Sequence, residues 1–135
     1  MSRTGIAPWQ NDIAADWFGD LFAITKLREH VIEALHQDGN DPVEAEQIRA
    51  ACFLLICLGR TFMWPIDHID DDLGLALQRL EQCIHLEESI KFKEIMEKEL
   101  LLLRLSIENE PTHEKEMELM SELWNNYLAP RRARG

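Results

Sequence analysis

The densest group of potential metal ligands in the chain lies between residues 67 and 72, where Asp67, His68, Asp70, Asp71 and Asp72 occupy five of six positions. Hard cations bind several oxygen ligands at short range, and this segment supplies them. It lacks the glycine turn and the terminal glutamate of a calcium-binding loop. Acidic residues also stabilise the start of a helix through the helix dipole. We therefore expect a helix N-terminus here, and keep a small metal-dependent hydrolase that uses the acidic loop 67–72 and His68 as an alternative.

Other possible ligands match metal sites only by short spacings. Glu33 and His36 have the Glu-x-x-His spacing of di-iron helical bundles, and Glu81 and His85 share a helix face. Matches of this length are expected by chance in a chain with 25 Asp and Glu residues. We predict that the protein has no metal site and no cofactor.

Nucleophiles and phosphate-binding motifs are also missing from the sequence. Cys52 and Cys57 lie about 140° apart around a helix, so these two thiols cannot bind one zinc ion together. Together with Cys83 they fall in apolar helical patterns, which predicts buried, reduced thiols. No serine has the Gly-x-Ser-x-Gly setting, and no glycine loop has the Walker spacing. We expect no catalytic residues, and a protein that is not an enzyme is favoured.

The charge balance is the clearest functional signal. The 135 residues include 25 Asp and Glu against 14 Lys and Arg, for a net charge of −11. This charge repels nucleic acid and anionic membranes, and it attracts a basic protein surface. The N-terminal residues lack the apolar core of a signal peptide, and the apolar run 50–59 is about half the length that spans a bilayer. We expect a cytoplasmic protein that binds neither nucleic acid nor membranes.

Apolar residues recur at helical spacing through most of the chain, which predicts an all-α fold. We expect a single-domain bundle of five or six helices with an irregular N-terminal entry segment, in which residues 1–128 form the domain and residues 129–135 form a basic, flexible tail. Turns are predicted at 39–42, around Pro65, and at 109–112. Asn11 or Asp12 is expected to cap the first helix, and Asp41 a later one.

Two helices have patterns that predict their place in the bundle. The first carries an apolar stripe that we expect to face the core, with a bend favoured by Gly19 and Thr25; its members are Ile13, Trp17, Leu21, Ile24, Leu27, Ile32 and Leu35. The helix after Pro42 is apolar on every side between residues 53 and 58. A helix of that kind is normally surrounded by other helices, so we expect it to be central.

The segment from Gly5 to Leu21, which reads GIAPWQNDIAADWFGDL, is the most distinctive in the chain. It resembles the opening of the bacterial family catalogued as domain of unknown function 4259, whose members begin with a glycine-containing entry, an aromatic residue, Asn-Asp, a small residue, Asp-Trp and a leucine. Residues 48–60 and the pair Trp64-Pro65 look similar to the family's second helix and the loop after it. The resemblance implies a small bacterial helical domain without established catalytic residues. Ile13 departs from the polar residue that often follows Asn-Asp in the family.

Small size, acidity and the missing catalytic motifs together favour an acidic protein-binding module, and specifically an immunity- or antitoxin-like inhibitor of a basic toxin enzyme. The expected contact residues are Asp67, Asp70, Asp71 and Asp72, with Trp64 as an aromatic anchor. A second alternative is a structural homo-oligomer, such as a homodimer, formed through the apolar faces of residues 100–103 and 117–124.

Overall fold

A computed structural model describes residues 6–8, 10–59, 64–108 and 113–134 of the chain. The described residues form six α-helices, which are α1 (Asp12–Thr25), α2 (Leu27–Leu35), α3 (Pro42–Leu58), α4 (Ile69–Leu86), α5 (Ile90–Ile107) and α6 (His113–Arg134). The predicted all-α bundle of five or six helices is therefore confirmed. The turn predicted at 109–112 lies outside the described residues.

Side-chain caps fix where three of the helices begin. The Asn11 side chain accepts a hydrogen bond from the Ala14 backbone N–H at 2.8 Å, which confirms that Asn11 caps α1. The Asp41 carboxylate accepts from the Val43 N–H at 2.8 Å, and Pro42 occupies the first turn of α3 as predicted. Ser89 caps α5 in the same way. Each cap satisfies a backbone donor that has no partner within its own helix.

Helices α3, α4 and α5 pack against one another and form the centre of the bundle. Helix α2 packs on α3 and α4, while α6 packs on α5. Fully buried side chains from these elements make up the main core, among them Leu35, Ile48, Leu55, Leu73, Leu80 and Leu103. A guanidinium fixes the end of α2 to α4, because Arg79 donates to the backbone carbonyls of Leu35 and Gln37.

A second apolar cluster joins α5 to α6. It consists of Leu102, Leu105, Leu119 and Leu123, of which Leu123 is fully buried. The apolar faces that the sequence offered for homo-oligomerisation are therefore largely packed against each other within one chain. Met117 and Trp124 are the members of these two faces that remain exposed.

Three expectations about individual segments differ from the structure. Helix α3 is not surrounded on all sides, since Leu54 and Cys57 are exposed, and Cys57 is therefore not a buried thiol. Helix α6 continues to Arg134, and the division into a domain 1–128 and a tail 129–135 stays a prediction. Trp17, expected in the core, is exposed.

Among the described helices, none combines the length and the apolar character needed to cross a membrane.

Candidate functional site

The predicted acidic contact residues divide into an exposed group and a buried one. Asp70 and Asp71 lie in the first turn of α4, as the sequence predicted, and Asp67 lies just before it. All three are exposed at the surface. Asp72, the fourth member, is 2% exposed and belongs to the interior.

Asp72 and Trp64 hold the fold together in an arrangement that removes both from the surface. The Trp64 indole N–H donates to Asp72 Oδ2 at 2.8 Å. Arg28 donates from Nε to Asp72 Oδ2 at 2.7 Å and from Nη2 to Oδ1 at 3.0 Å. These hydrogen bonds raise the pKa of Arg28 above its ordinary value. Trp64 is 2% exposed, so it cannot serve as the exposed anchor that we expected from the sequence.

The same contacts bear on the metal-site alternative. Both carboxylate oxygens of Asp72 already accept hydrogen bonds from Arg28, which is the charge-paired arrangement that a buried carboxylate needs. Across the described part of the chain, no group of three or more His, Cys, Asp or Glu side chains is arranged to hold a metal ion. The acidic segment 67–72 contains the start of α4, and Asp72 joins it to α2 through the ion pair with Arg28.

The thiols offer no reactive centre of the usual kind. Burial raises the pKa of the Cys52 thiol to about 12, and burial also raises the pKa of Cys83. Cys57 is exposed, yet partial removal of its thiol from water raises its pKa as well. A nucleophilic cysteine needs a lowered pKa, because the thiolate is the reacting form.

An unexpected surface lies on α1. Ile13 is 64% exposed, Trp17 60% and Ile24 81%, and Leu21 is 38% exposed. At 100° per residue these four side chains fall within an arc of about 80°, so they form one continuous apolar row along the helix. The sequence pattern correctly placed them on one face, but the prediction that this face lies in the core was wrong.

The opposite side of α1 explains why the apolar row faces outward. Phe22 projects about 180° from Ile13 and is 8% exposed. Its ring meets the buried Trp64 ring edge-to-face, with centroids 5.4 Å apart. Among the described helices, α1 packs only on α2. Within the described residues, Phe22 and the neighbouring α2 thus hold α1, and its apolar row is exposed.

A row of carboxylates borders the apolar row. Asp12, Asp16 and Asp20 are spaced four residues apart and all are exposed. They fall between about 20° and 100° to one side of Ile13 around the helix. Within the described residues, none of the three forms an ion pair. We call the four apolar and three acidic side chains of this helix the α1 surface.

Buried contacts join the inner side of α1 to the start of α4. Phe22 of α1 meets Trp64, Trp64 donates to Asp72, and Arg28 joins Asp72 to the start of α2. The attraction of Asp71 also contributes to the raised pKa of Arg28. The sequence did signal this site, since the acidic positions of α1 recur every four residues beside the apolar ones.

In comparisons with known proteins, no protein family model, no curated protein and no solved structure matches the chain. The resemblance of residues 5–21 to the family of unknown function described above stays a prediction.

Proposed function

We propose that the protein is an acidic binding module whose α1 surface receives a basic, amphipathic helix of a partner protein. The observation that carries the proposal is the uncovered apolar row of α1 with a carboxylate row beside it. Contiguous exposed apolar patches on small proteins mark interaction sites. An amphipathic helix that docks through its apolar face matches such a row at the same spacing of three and four residues.

The acidic row supports a basic partner over other occupants. Asp12, Asp16 and Asp20 border the apolar row along its length, and a helix with Lys or Arg beside its apolar stripe complements both rows at once. The chain's net charge of −11 adds long-range attraction for such a partner and speeds encounter. A second copy of the chain fits less well, because pairing two α1 helices brings two sets of aspartates together.

We extend the proposal to inhibition of a basic enzyme, in the manner of an immunity protein. Small size and strong acidity support this form of the proposal, as do the exposed Asp67, Asp70 and Asp71 at the start of α4. These three residues remain proposed contacts with the partner. Trp64 and Asp72 are no longer included, because both are buried. Trp17 takes the place of Trp64 as the aromatic anchor.

The experiment compares proteins captured from the source cells by variants of the tagged protein. The Trp17→Ser variant removes the centre of the apolar row, while Phe92→Ser removes an aromatic ring that is 51% exposed on α5 and serves as the matched control. We expect a basic protein to be retained by the wild type and by Phe92→Ser, to be lost with Trp17→Ser, and to elute as salt increases. If the Trp17→Ser variant retained the same basic protein as the wild type, the proposal would be contradicted.

A second pair of variants separates local from overall charge. Asp16→Asn with Asp20→Asn removes two charges from the α1 surface, and Glu94→Gln with Glu97→Gln removes two exposed charges from α5. We expect the first pair to weaken partner binding by about tenfold or more and the second pair to change it little. Equal losses from both pairs would mean that only net charge matters. With the purified partner, stoichiometric loss of its enzymatic rate tests the inhibitory role.

A further inference from the structure

Three aromatic rings form a corner on the side of the bundle where α3 faces α6. The Phe53 ring centroid lies 6.2 Å from that of Trp124 and 5.8 Å from that of Tyr127, and the latter two lie 5.9 Å apart. The angles between the ring planes are 79°, 86° and 85°. The three ring planes are therefore nearly perpendicular to one another.

A buried ion pair holds this corner in place. Glu99 of α5 is 3% exposed and accepts hydrogen bonds from Arg49 at 2.9 and 2.6 Å. The Tyr127 hydroxyl donates to the same carboxylate at 2.6 Å. Burial, followed by this hydrogen bond, raises the pKa of Tyr127, so the ring remains a neutral phenol. The orientation of the Tyr127 ring is thus fixed, and the charges of Glu99 and Arg49 offset each other.

The corner opens on a cavity of about 360 Å³. Its walls include the three rings, the Glu99–Arg49 pair, Ala50 and the exposed Glu46. Because the ion pair is neutral as a unit, Glu46 gives the lining a net negative charge. Trp124 is 46% exposed, so its ring can be reached from solvent. The cavity lining thus combines aromatic rings with one exposed carboxylate.

We propose that this cavity binds a small organic cation through a methylated ammonium group. The faces of aromatic rings carry negative partial charge and attract cations, and quaternary ammonium groups are bound by cages of such rings. A methylated ammonium needs no hydrogen-bond acceptor, so it matches walls that offer few free polar atoms. Glu46, an exposed residue of the lining, supplies the opposite charge. The cavity volume falls within the usual range for small-molecule sites.

The test uses choline as the probe and 3,3-dimethylbutan-1-ol, which has the same shape without the charge, as its matched control. Both are titrated into the ¹⁵N-labelled protein while the indole N–H signal of Trp124, assigned from the Trp124→Leu spectrum, is followed by NMR. We expect choline to give a saturable shift and the uncharged alcohol to bind about tenfold more weakly or worse. Equal binding of both compounds, or no saturable shift with choline, would overturn the proposal.

Variants place the binding at the aromatic corner. Trp124→Leu keeps an apolar side chain but removes a ring face, and we expect choline affinity, measured by calorimetry, to fall about tenfold. Phe53→Leu removes a second wall and should act in the same direction, which covers the case in which one variant folds poorly. Trp17→Leu on α1 is the control and should leave choline binding unchanged. Undiminished affinity in both corner variants would rule the site out, whereas the proposed function rests on α1 and is unaffected by that result.

Discussion

At the scale of single residues, the two carboxylates that are buried in the described part of the chain share one arrangement. Asp72 accepts from Arg28 and from an indole N–H, and Glu99 accepts from Arg49 and from a phenol. A buried charge is costly unless it is paired and its remaining lone pairs are satisfied. In both cases an arginine supplies the opposite charge in bidentate geometry, and an aromatic side chain supplies the additional donor.

Removing one arginine should therefore cost far more than breaking a surface pair. We expect Arg49→Met to lower the free energy of unfolding by about 3–5 kcal/mol, because Glu99 is left as an unpaired buried charge. Arg104→Met is the control, since the Arg104–Glu81 pair is about half exposed on both sides and is worth about 1 kcal/mol or less. Urea unfolding measures both. Similar costs for the two variants would contradict the role given to the buried pair.

Tyr127 should make stability depend on alkaline pH. Its folded-state pKa lies above the ordinary value near 10, so the folded protein favours the neutral phenol. The resulting stabilisation is complete below about pH 10 and is lost as the pH rises above that value toward the folded-state pKa. We expect the difference in stability between the wild type and Tyr127→Phe to shrink across this range. Chemical unfolding at pH 8 through 11 measures this difference in stability. A difference that stays constant across the range would contradict the prediction.

At the scale of elements, the junction between α1 and α2 decides what α1 shows to solvent. Lys26 has φ 53° and ψ 38°, and it is the non-glycine residue with positive φ among those the structure describes. The left-handed residue ends α1 and starts α2 in a new direction. The apolar stripe that runs through α1 and α2 in the sequence therefore does not form one buried face in the structure.

Substitutions at Lys26 should follow the cost of its backbone conformation. Glycine adopts positive φ without steric cost, so we expect Lys26→Gly to keep or slightly raise stability, by up to about 1 kcal/mol. The β-branched Lys26→Val should lower it by about 1–2 kcal/mol. Thermal unfolding of the two variants gives the comparison. A more stable valine variant would show that the junction does not hold this conformation in solution.

At the scale of the whole molecule, net charge bears on what covers the α1 surface. The charges favour a basic partner, and the chain at −11 repels its own copies. We expect the purified protein to have the mass of one chain, 15.7 kDa, in light scattering at low salt. A concentration-dependent dimer that Trp17→Ser abolishes would instead assign the α1 surface to self-association.

Much of this molecule follows from the sequence alone, because the signals are local. Helix number and approximate ends follow from apolar spacing, from Asn11 and Asp41 as caps, from Pro42 as a first-turn residue and from Pro65 as a break. The acidic start of α4 was also predicted, since carboxylates stabilise that end of a helix wherever it lies. A cap or a turn involves residues a few positions apart, so neighbours in the sequence determine it.

The tertiary structure decided which faces are covered. Trp17 and Trp64 are both aromatic residues beside acidic ones, and the sequence assigned the first to the core and the second to the surface. In the structure, Trp64 is buried because it contacts Phe22 and Asp72. Trp17 is exposed because it lies on the side of α1 away from the bundle. The Glu99–Arg49–Tyr127 contacts join residues 28 to 50 positions apart. Helical periodicity defines a face, but the packing of distant helices determines whether that face is buried.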